Sequence, residues 1–412
     1  FRSTAPADID TAFSDFMPTF GLNMRQFDMM MKIYKILSQK YDVVCTNPPY
    51  MGGSGMNAKL SEFVKSKFPD YKSDLFSTFV IRCTQLCKAE GYLGFLTPYV
   101  WMFIQSYEKM RNYIYSTRTI ETLIQFEYSA FEEATVPICT FALKNSKVNK
   151  KGVYLRLTDF RGGMEVQRQK TLEAIADHKC GYYFETNSAN FSKIPGSPVA
   201  YWVSENFIRA FERGISIDSI SDFTGSQHIT ANNDKYLRLH WEIDANKVGM
   251  GKKWVYYAKG GDFRKWYGNI ELVVDWSEGA VQYYKTNSTS NLLAEKYRFK
   301  EGITYTELTS SVNTFRYLPP VCIFDKKGPS IVSVKKLWYC LGIFGTKIAP
   351  LYFAILNPTL STQVRDVKNL PIIVNGEIEP KIDEIVKENV EICKQDWNDF
   401  ETSWGFEKHP LI

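Results

Sequence analysis

A chain of 412 residues with 44% hydrophobic and 23% charged content is long enough for more than one hydrophobic core, and no apolar run approaches the roughly 20 residues that a membrane helix needs. Its formal charge of +5 is mild for this length, so any nucleic-acid surface must be local. Four histidines without HExxH or Cys/His clustering and eight cysteines without a CxxC pair exclude the usual zinc patterns and suit the reduced thiols of a cytoplasmic protein.

The chain opens on Phe1 with no signal-peptide pattern behind it and is expected to be a piece of a longer protein. From Leu22 to Lys40, Phe27, Met30, Met31, Tyr34 and Leu37 recur at the spacing of an amphipathic helix. Val43, Val44 and Cys45 then form a short apolar run stopped by two prolines, which reads as a buried parallel strand over Tyr41 to Thr46. Phe76, Phe79, Val80, Cys83 and Cys87 predict a helix ended by Gly91, and Tyr92 to Leu96 a strand closed by Pro98. A helix over Tyr107 to Tyr115 and strands over Ile120 to Phe126 and Val136 to Leu143 continue the alternation, which implies an open α/β sheet.

After Lys144 the strands become short, aromatic-rich and separated by Gly and Asn turns as far as about Val374. Thr171 to His178 can still be helical, Pro195-Gly196-Ser197-Pro198 reads as a linker, and a last helix after Pro380 carries Ile382, Ile385, Val386, Val390 and Ile392. The expected division is 1–150, a connecting segment 151–200, a second domain 201–375 and a helical tail 376–412.

Asn47-Pro48-Pro49-Tyr50 follows the predicted strand at its carboxyl end, where open α/β sheets bind ligands. The Asn47 carboxamide oxygen and the Pro48 carbonyl can accept the protons of a conjugated amine and orient it, Pro49 stiffens the loop, and Tyr50 offers a face to a base taken out of the stack. Phe131 either closes the same pocket from the other side or caps the core from its loop. Asp74 either faces the cleft, where it would touch a cofactor, or shares with Ser73 the N-cap of the following helix. In the second domain Lys259, Arg264, Lys265, Arg298, Lys300 and Arg316 alternate with Trp266, Tyr267, Tyr297 and Tyr317, a mixture suited to phosphate and base contacts or, as the commoner case residue by residue, to a solvated face over an aromatic core. Ser310, Ser311, Asn313 and Arg316 fall in an expected loop where they could read base edges.

The Asn-Pro-Pro-Tyr motif, the helix from Asp74, the strand from Gly91 to Pro98 and the Phe131 loop resemble, in this order, motifs IV to VIII of gamma-type adenine-N6 DNA methyltransferases. Trp254 to Asn269 and the tail from Asp396 to Leu411 resemble the PglX family of BREX phage-defence methyltransferases and the related type IIG restriction-modification enzymes, so the likeness covers nearly the whole chain. It implies S-adenosyl-L-methionine as cofactor, double-stranded DNA and other proteins of a phage-defence system as partners, and no membrane or metal. It also implies that Asn47, Pro48, Pro49 and Tyr50 form the catalytic motif, that Asn47 and the Pro48 carbonyl hold the adenine amine, that Tyr50 and Phe131 sandwich the flipped base, and that DNA recognition lies downstream. The family's acidic-and-glycine cofactor loop has no counterpart in Phe1 to Thr46. The expected fold is therefore the second half of a Rossmann-like methyltransferase sheet followed by an α+β target-recognition domain and a C-terminal helix, and the chain alone is expected to be inactive. A glutamine or RNA methyltransferase sharing the same pocket, or an inert DNA-binding module, are the alternatives.

Overall fold

A computed structural model describes residues 24–128, 136–223, 227–308, 312–357 and 362–412. They belong to two compact units, 1–189 and 190–412.

In the first unit α1 (Met24–Ser38) leads into β1 (Tyr41–Thr46), the Tyr41 hydroxyl donating to the Ile36 carbonyl at 2.7 Å. Then follow α2 (Ala58–Lys67), α3 (Leu75–Leu86), β2 (Cys87–Pro98), α4 (Glu108–Thr117), β3 (Thr119–Gln125), β4 (Ile138–Lys144), β5 (Gly152–Arg156), α5 (Gly163–Ala176) and β6 (Tyr183–Thr186). The six strands form one sheet in the order β1-β2-β4-β3-β5-β6. β1 and β2 run parallel, as do β3 and β5, while β4 is inserted antiparallel between β2 and β3.

Several sequence expectations change here. β1 is parallel as expected but lies at the sheet edge, with Val43 59% exposed and Cys45 exposed. An apolar run shows that a strand suits a covered position, and not whether the described residues cover it. The α1 stripe is likewise exposed at Met30 and Leu37. Gly91 does not end a helix: α3 stops at Leu86, and Gly91 lies inside β2 opposite a register shift of β1. A Cβ there would sit 2.5 Å from the Asp42 carbonyl oxygen and 2.6 Å from the Cys87 sulfur, which is why glycine occupies it. Asn145, just past β4, is buried. Its side-chain amide donates to the carbonyls of Thr84, Cys87 and Lys88 at 3.0 to 3.1 Å, satisfying groups that the end of α3 leaves bare. β5, α5 and β6, expected in a connecting segment, extend the first sheet and its helical cover.

The second unit contains α6 (Glu205–Arg213), β7 (Ile215–Ser216), β8 (Asp222–Phe223), α7 (Asn233–Tyr236), β9 (Leu237–Leu239), β10 (Trp254–Ala258), β11 (Leu272–Asp275), α8 (Glu278–Thr286), β12 (Gly302–Tyr305), β13 (Phe315–Leu318), β14 (Cys322–Phe324) and β15 (Ser330–Val332). It closes with α9 (Leu337–Gly345), α10 (Ala349–Leu356), α11 (Val364–Lys368), β16 (Pro371–Ile372) and α12 (Glu379–Asn398). Two four-stranded sheets, β14-β10-β11-β9 and β13-β12-β15-β8, each back a core of their own. Phe315 stacks on Phe344 and Phe353 with centroids 4.1 and 5.5 Å away, which fastens α9 and α10 to β13. Among the described residues no single helix is long and apolar enough to cross a membrane, and the apolar pair α9 and α10 is bent by 80°. Val386, Val390 and Trp397 of α12 are buried in the same core, so the expected tail is part of this unit. The expected linker around Pro195 to Pro198 is packed as well: Ser197 is buried, and the flanking Ile194 and Ala200 pack with Ile208, Ile355 and Leu356.

Candidate active site

β1 delivers Asn47 to the carboxyl end of the parallel pair. Pro48 is buried, and Tyr50 is 39% exposed. The Tyr50 hydroxyl lies 3.1 Å from Asn47 Oδ1 and 3.2 Å from the carbonyl oxygen of Leu96 near the end of β2. Its single proton therefore has two acceptors in reach. Burial raises the pKa of this phenol, which keeps it a donor. The ring stands edge-on to the fully buried Phe76, centroids 6.4 Å apart, and Phe76 packs on Tyr107 at 5.3 Å.

The loop beyond Tyr50 is held by Asp74. One carboxylate oxygen, Oδ1, accepts from Met51 N at 3.0 Å and from Phe76 N at 3.1 Å, so Asp74 both caps α3 and fastens the motif loop to it. Leu75 N donates to the Met51 carbonyl at 2.9 Å and Gly52 bridges to Asp74, completing a miniature antiparallel ladder. Replacing Asp74 by alanine is expected to cost about 1–2 kcal/mol of stability through the lost cap. Unchanged chemical denaturation of the variant would remove the clamp from this account.

Phe131 lies outside the described residues, as do Ser310 and Ser311. The other second-unit candidates are mostly engaged inside the protein. Arg264 pairs with Asp396 at 2.9 Å and covers the Trp397 ring at 4.6 Å. Trp266, with φ +69, packs against the second unit's core, and Gly345 faces it, because a Cβ there would meet the indole at 2.2 Å. Asn313 donates through its amide nitrogen to the Thr362 hydroxyl. Arg316 is not in a loop: it belongs to β13, is 1% exposed, and donates to Thr306 Oγ1 and Thr314 Oγ1 at 3.2 Å and to the Arg264 carbonyl at 3.4 Å. Lys265 is exposed and Lys259 half-buried, and neither has a carboxylate partner among the described residues. Alternating bases and rings describe a strand packed on a core as well as they describe a nucleic-acid face, and here the core takes most of them. The bonds from Tyr50 to Leu96 and from Met51 to Asp74 join residues 46 and 23 positions apart and leave no local signal.

The family described as Eco57I restriction-modification methylase matches residues 7–131. Over 391 residues, 92% of this chain, the sequence is 33% identical to the adenine-specific methyltransferase BrxX of Escherichia coli O9:H4 (strain HS), of which it covers 31%. Over 406 residues, 93% of this chain, it is 31% identical to the adenine-specific methyltransferase PglX of Lacticaseibacillus casei (strain Zhang), of which it covers 33%. The chain thus spans about a third of the length of these curated relatives. Among solved structures, the type IIL restriction-modification enzyme MmeI in complex with DNA matches with a TM-score of 0.55 at 10% identity, over 86% of this chain and 49% of that one. A nuclease-deletion mutant of the type ISP enzyme LlaGI with a DNA substrate mimic matches with a TM-score of 0.51 at 11% identity, over 94% of this chain and 37% of that one. These two likenesses show the fold. With the Asn-Pro-Pro-Tyr loop at the end of β1 and this identity along nine-tenths of its length, the chain belongs to the family of the adenine-specific methyltransferases BrxX and PglX.

Proposed function

We propose that this chain is the base-receiving and duplex-contacting part of a site-specific DNA adenine-N6 methyltransferase of a phage-defence or restriction-modification system. The observation that carries the reading is the Tyr50 hydroxyl placed between Asn47 Oδ1 and the Leu96 carbonyl. An adenine amine has its lone pair delocalised into the ring, so methyl transfer needs acceptors that take its protons and turn that lone pair toward the methyl donor. Asn47 Oδ1 is such an acceptor, and in the resting protein Tyr50 covers it. An entering amine takes the place of the Tyr50 hydroxyl, which keeps Leu96 O as its acceptor. The exchange leaves no buried donor unpaired, so the pocket opens at little cost.

The described residues do not by themselves fit S-adenosyl-L-methionine. They present no glycine loop, and Asp74 Oδ1 is already used by two backbone amides. The reading accordingly assigns the methyl donor to residues other than the described ones, in line with the β1 edge and the Met29, Ile33, Ile36 and Leu37 face of α1 that the described residues leave uncovered, surfaces that a further strand and helix would cover. When bound, the cofactor supplies the methyl group. Incubating labelled S-adenosyl-L-methionine and duplex DNA with the full-length protein is expected to give N6-methyladenine, and with this chain alone no methylated base. Methylation of a glutamine or of RNA in place of duplex adenine would overturn the assignment, and methyl transfer by this chain alone would overturn its division of labour.

A further inference from the structure

Of the basic residues singled out in the sequence, Arg264 and Arg316 are engaged within the protein, and Lys259 lies at a cleft that the sequence did not show. The cleft, of about 280 Å³, has Thr230, Asn233, Lys259, Asp325, Lys326 and Lys327 in its wall. It is slightly smaller than the roughly 300–1,000 Å³ of pockets that enclose whole small molecules, and suits a phosphodiester group. We propose that this cleft is a docking site for the phosphate backbone of duplex DNA, held by Lys259 and Lys326; the proposal rests on the reading of this unit as the duplex-contacting part.

Two turns bring the lysines together, and the backbone fixes both. β10 and β14 pair in parallel with Ala258 opposite Phe324, and Asp325 N donates to the Ala258 carbonyl at 2.8 Å. Lys259 thus leaves one strand beside the point where Asp325, Lys326 and Lys327 leave the other. The turns then touch main chain to main chain. A Cβ on Gly328 would lie 2.4 Å from Gly260 N, and one on Gly260, at φ +84, would lie 2.8 Å from the Lys327 carbonyl oxygen. Glycine at both positions permits that approach, so the lysines project from a rigid base.

The charges in the cleft are unbalanced. Its one lining carboxylate, Asp325, is committed: Oδ2 accepts from the Tyr257 hydroxyl at 2.6 Å and Oδ1 from Lys327 N at 2.6 Å. Lys327 Nζ pairs with Glu307 at 2.8 Å, whereas Lys259 and Lys326 have no carboxylate partner among the described residues. Behind the cleft stands Arg316, 1% exposed and without a carboxylate. Its Nη2 donates to Thr306 Oγ1 at 3.2 Å, and that hydroxyl donates to the Gly261 carbonyl at 3.1 Å, two residues beyond Lys259. Burial lowers the guanidinium pKa to about 10, which leaves it charged at neutral pH, and a buried charge is screened less by salt than a surface one. On the cleft itself Lys259, Lys326 and Lys327 stand against Asp325 and the Glu307 that pairs with Lys327, an excess of one positive charge, with the buried Arg316 adding to it from within the protein. Lysines act on phosphate as point charges and release counterions on doing so. The donors of this cleft therefore suit a backbone contact that positions DNA without reading its sequence.

The test is the salt dependence of duplex binding by the 412-residue chain, followed by fluorescence anisotropy between about 50 and 200 mM salt. The double variant Lys259→Ala/Lys326→Ala is expected to lower the slope of log affinity against log salt by close to two, because each lost phosphate contact removes about 0.9. Lys247→Ala/Lys285→Ala, at exposed lysines of the same unit away from the cleft, is expected to leave the slope unchanged. A folded Lys259/Lys326 variant that keeps the parent's slope overturns the cleft while leaving the DNA reading intact. Failure of the parent chain to bind duplex at any salt concentration overturns both. Loss of inorganic phosphate binding in that variant with an unchanged duplex slope assigns the cleft to a small anion and likewise overturns the proposal.

Discussion

Replacing Asn47 by alanine in the full-length protein is expected to lower adenine methylation by about 100- to 1,000-fold, the usual cost of deleting one preorganised polar group at a reacting centre. Duplex binding should change little, because Asn47 follows β1 in the first unit and serves the reacting nitrogen, while affinity for the duplex comes mainly from phosphate contacts. Tyr50→Phe keeps the ring and removes the hydroxyl that now covers Asn47 Oδ1, and most of the activity should survive. Tyr50→Ala removes the stacking face and should weaken binding of a duplex with a flipped or mismatched adenine by about 1–3 kcal/mol. The measurements are methyl transfer and duplex affinity on the same variants. If Asn47→Ala loses both in parallel, the residue supports the fold and the pocket assignment fails. If Tyr50→Phe is as inactive as Asn47→Ala, the hydroxyl takes part in the chemistry and the exchange drawn above is wrong.

The pocket could be read from the chain because its signals are local: an apolar run, a proline pair that no strand interior tolerates, and an asparagine and a tyrosine on either side of it. The parallel pairing of β1 and β2 followed from the intervening helix. The antiparallel insertion of β4 between β2 and β3 did not, since two strands in sequence carry no mark of which neighbour each will take. Asp74 had two readings in the sequence, of which the N-cap was the favoured one. The structure places its side chain on the Phe76 and Met51 amides, and the second partner is 23 residues away. Arg316 was legible as a basic residue among aromatic ones, but its buried position goes with bonds to Thr306 Oγ1 and to the Arg264 carbonyl, the latter from a segment 52 residues away in the chain. Lys326 and Lys327, two lysines between Asp325 and Gly328, were passed over in the sequence because only the parallel pairing of β10 with β14 brings them beside Lys259.

Acidification is expected to weaken the second unit through His228. This ring is 0% exposed, neither nitrogen has a hydrogen-bond partner, and Tyr284, Trp276 and Tyr257 surround it with centroids 4.6, 5.4 and 5.7 Å away. Burial among these rings, helped by the nearby Arg298 guanidinium, lowers its pKa from the ordinary 6.5 to about 3. Between those values the unfolded chain binds a proton at His228 that the folded unit refuses, so stability rises with pH and is lost as pH falls below about 6.5. At pH 5 the loss from this one residue is about 2 kcal/mol, from roughly 1.4 kcal/mol per pH unit. His228→Phe removes the titrating group together with two unpaired buried nitrogens, and should match or exceed the parent in stability at neutral pH. Met, narrower and flexible, serves as a second variant in case the larger ring does not fit. Urea unfolding at pH 7.5 and 5.0 reads the effect directly. The parent should lose about 2 kcal/mol more than either variant over that interval, and equal losses in all three would mean that the folded unit takes up the proton, with the ring reaching solvent or a carboxylate on a timescale shorter than unfolding.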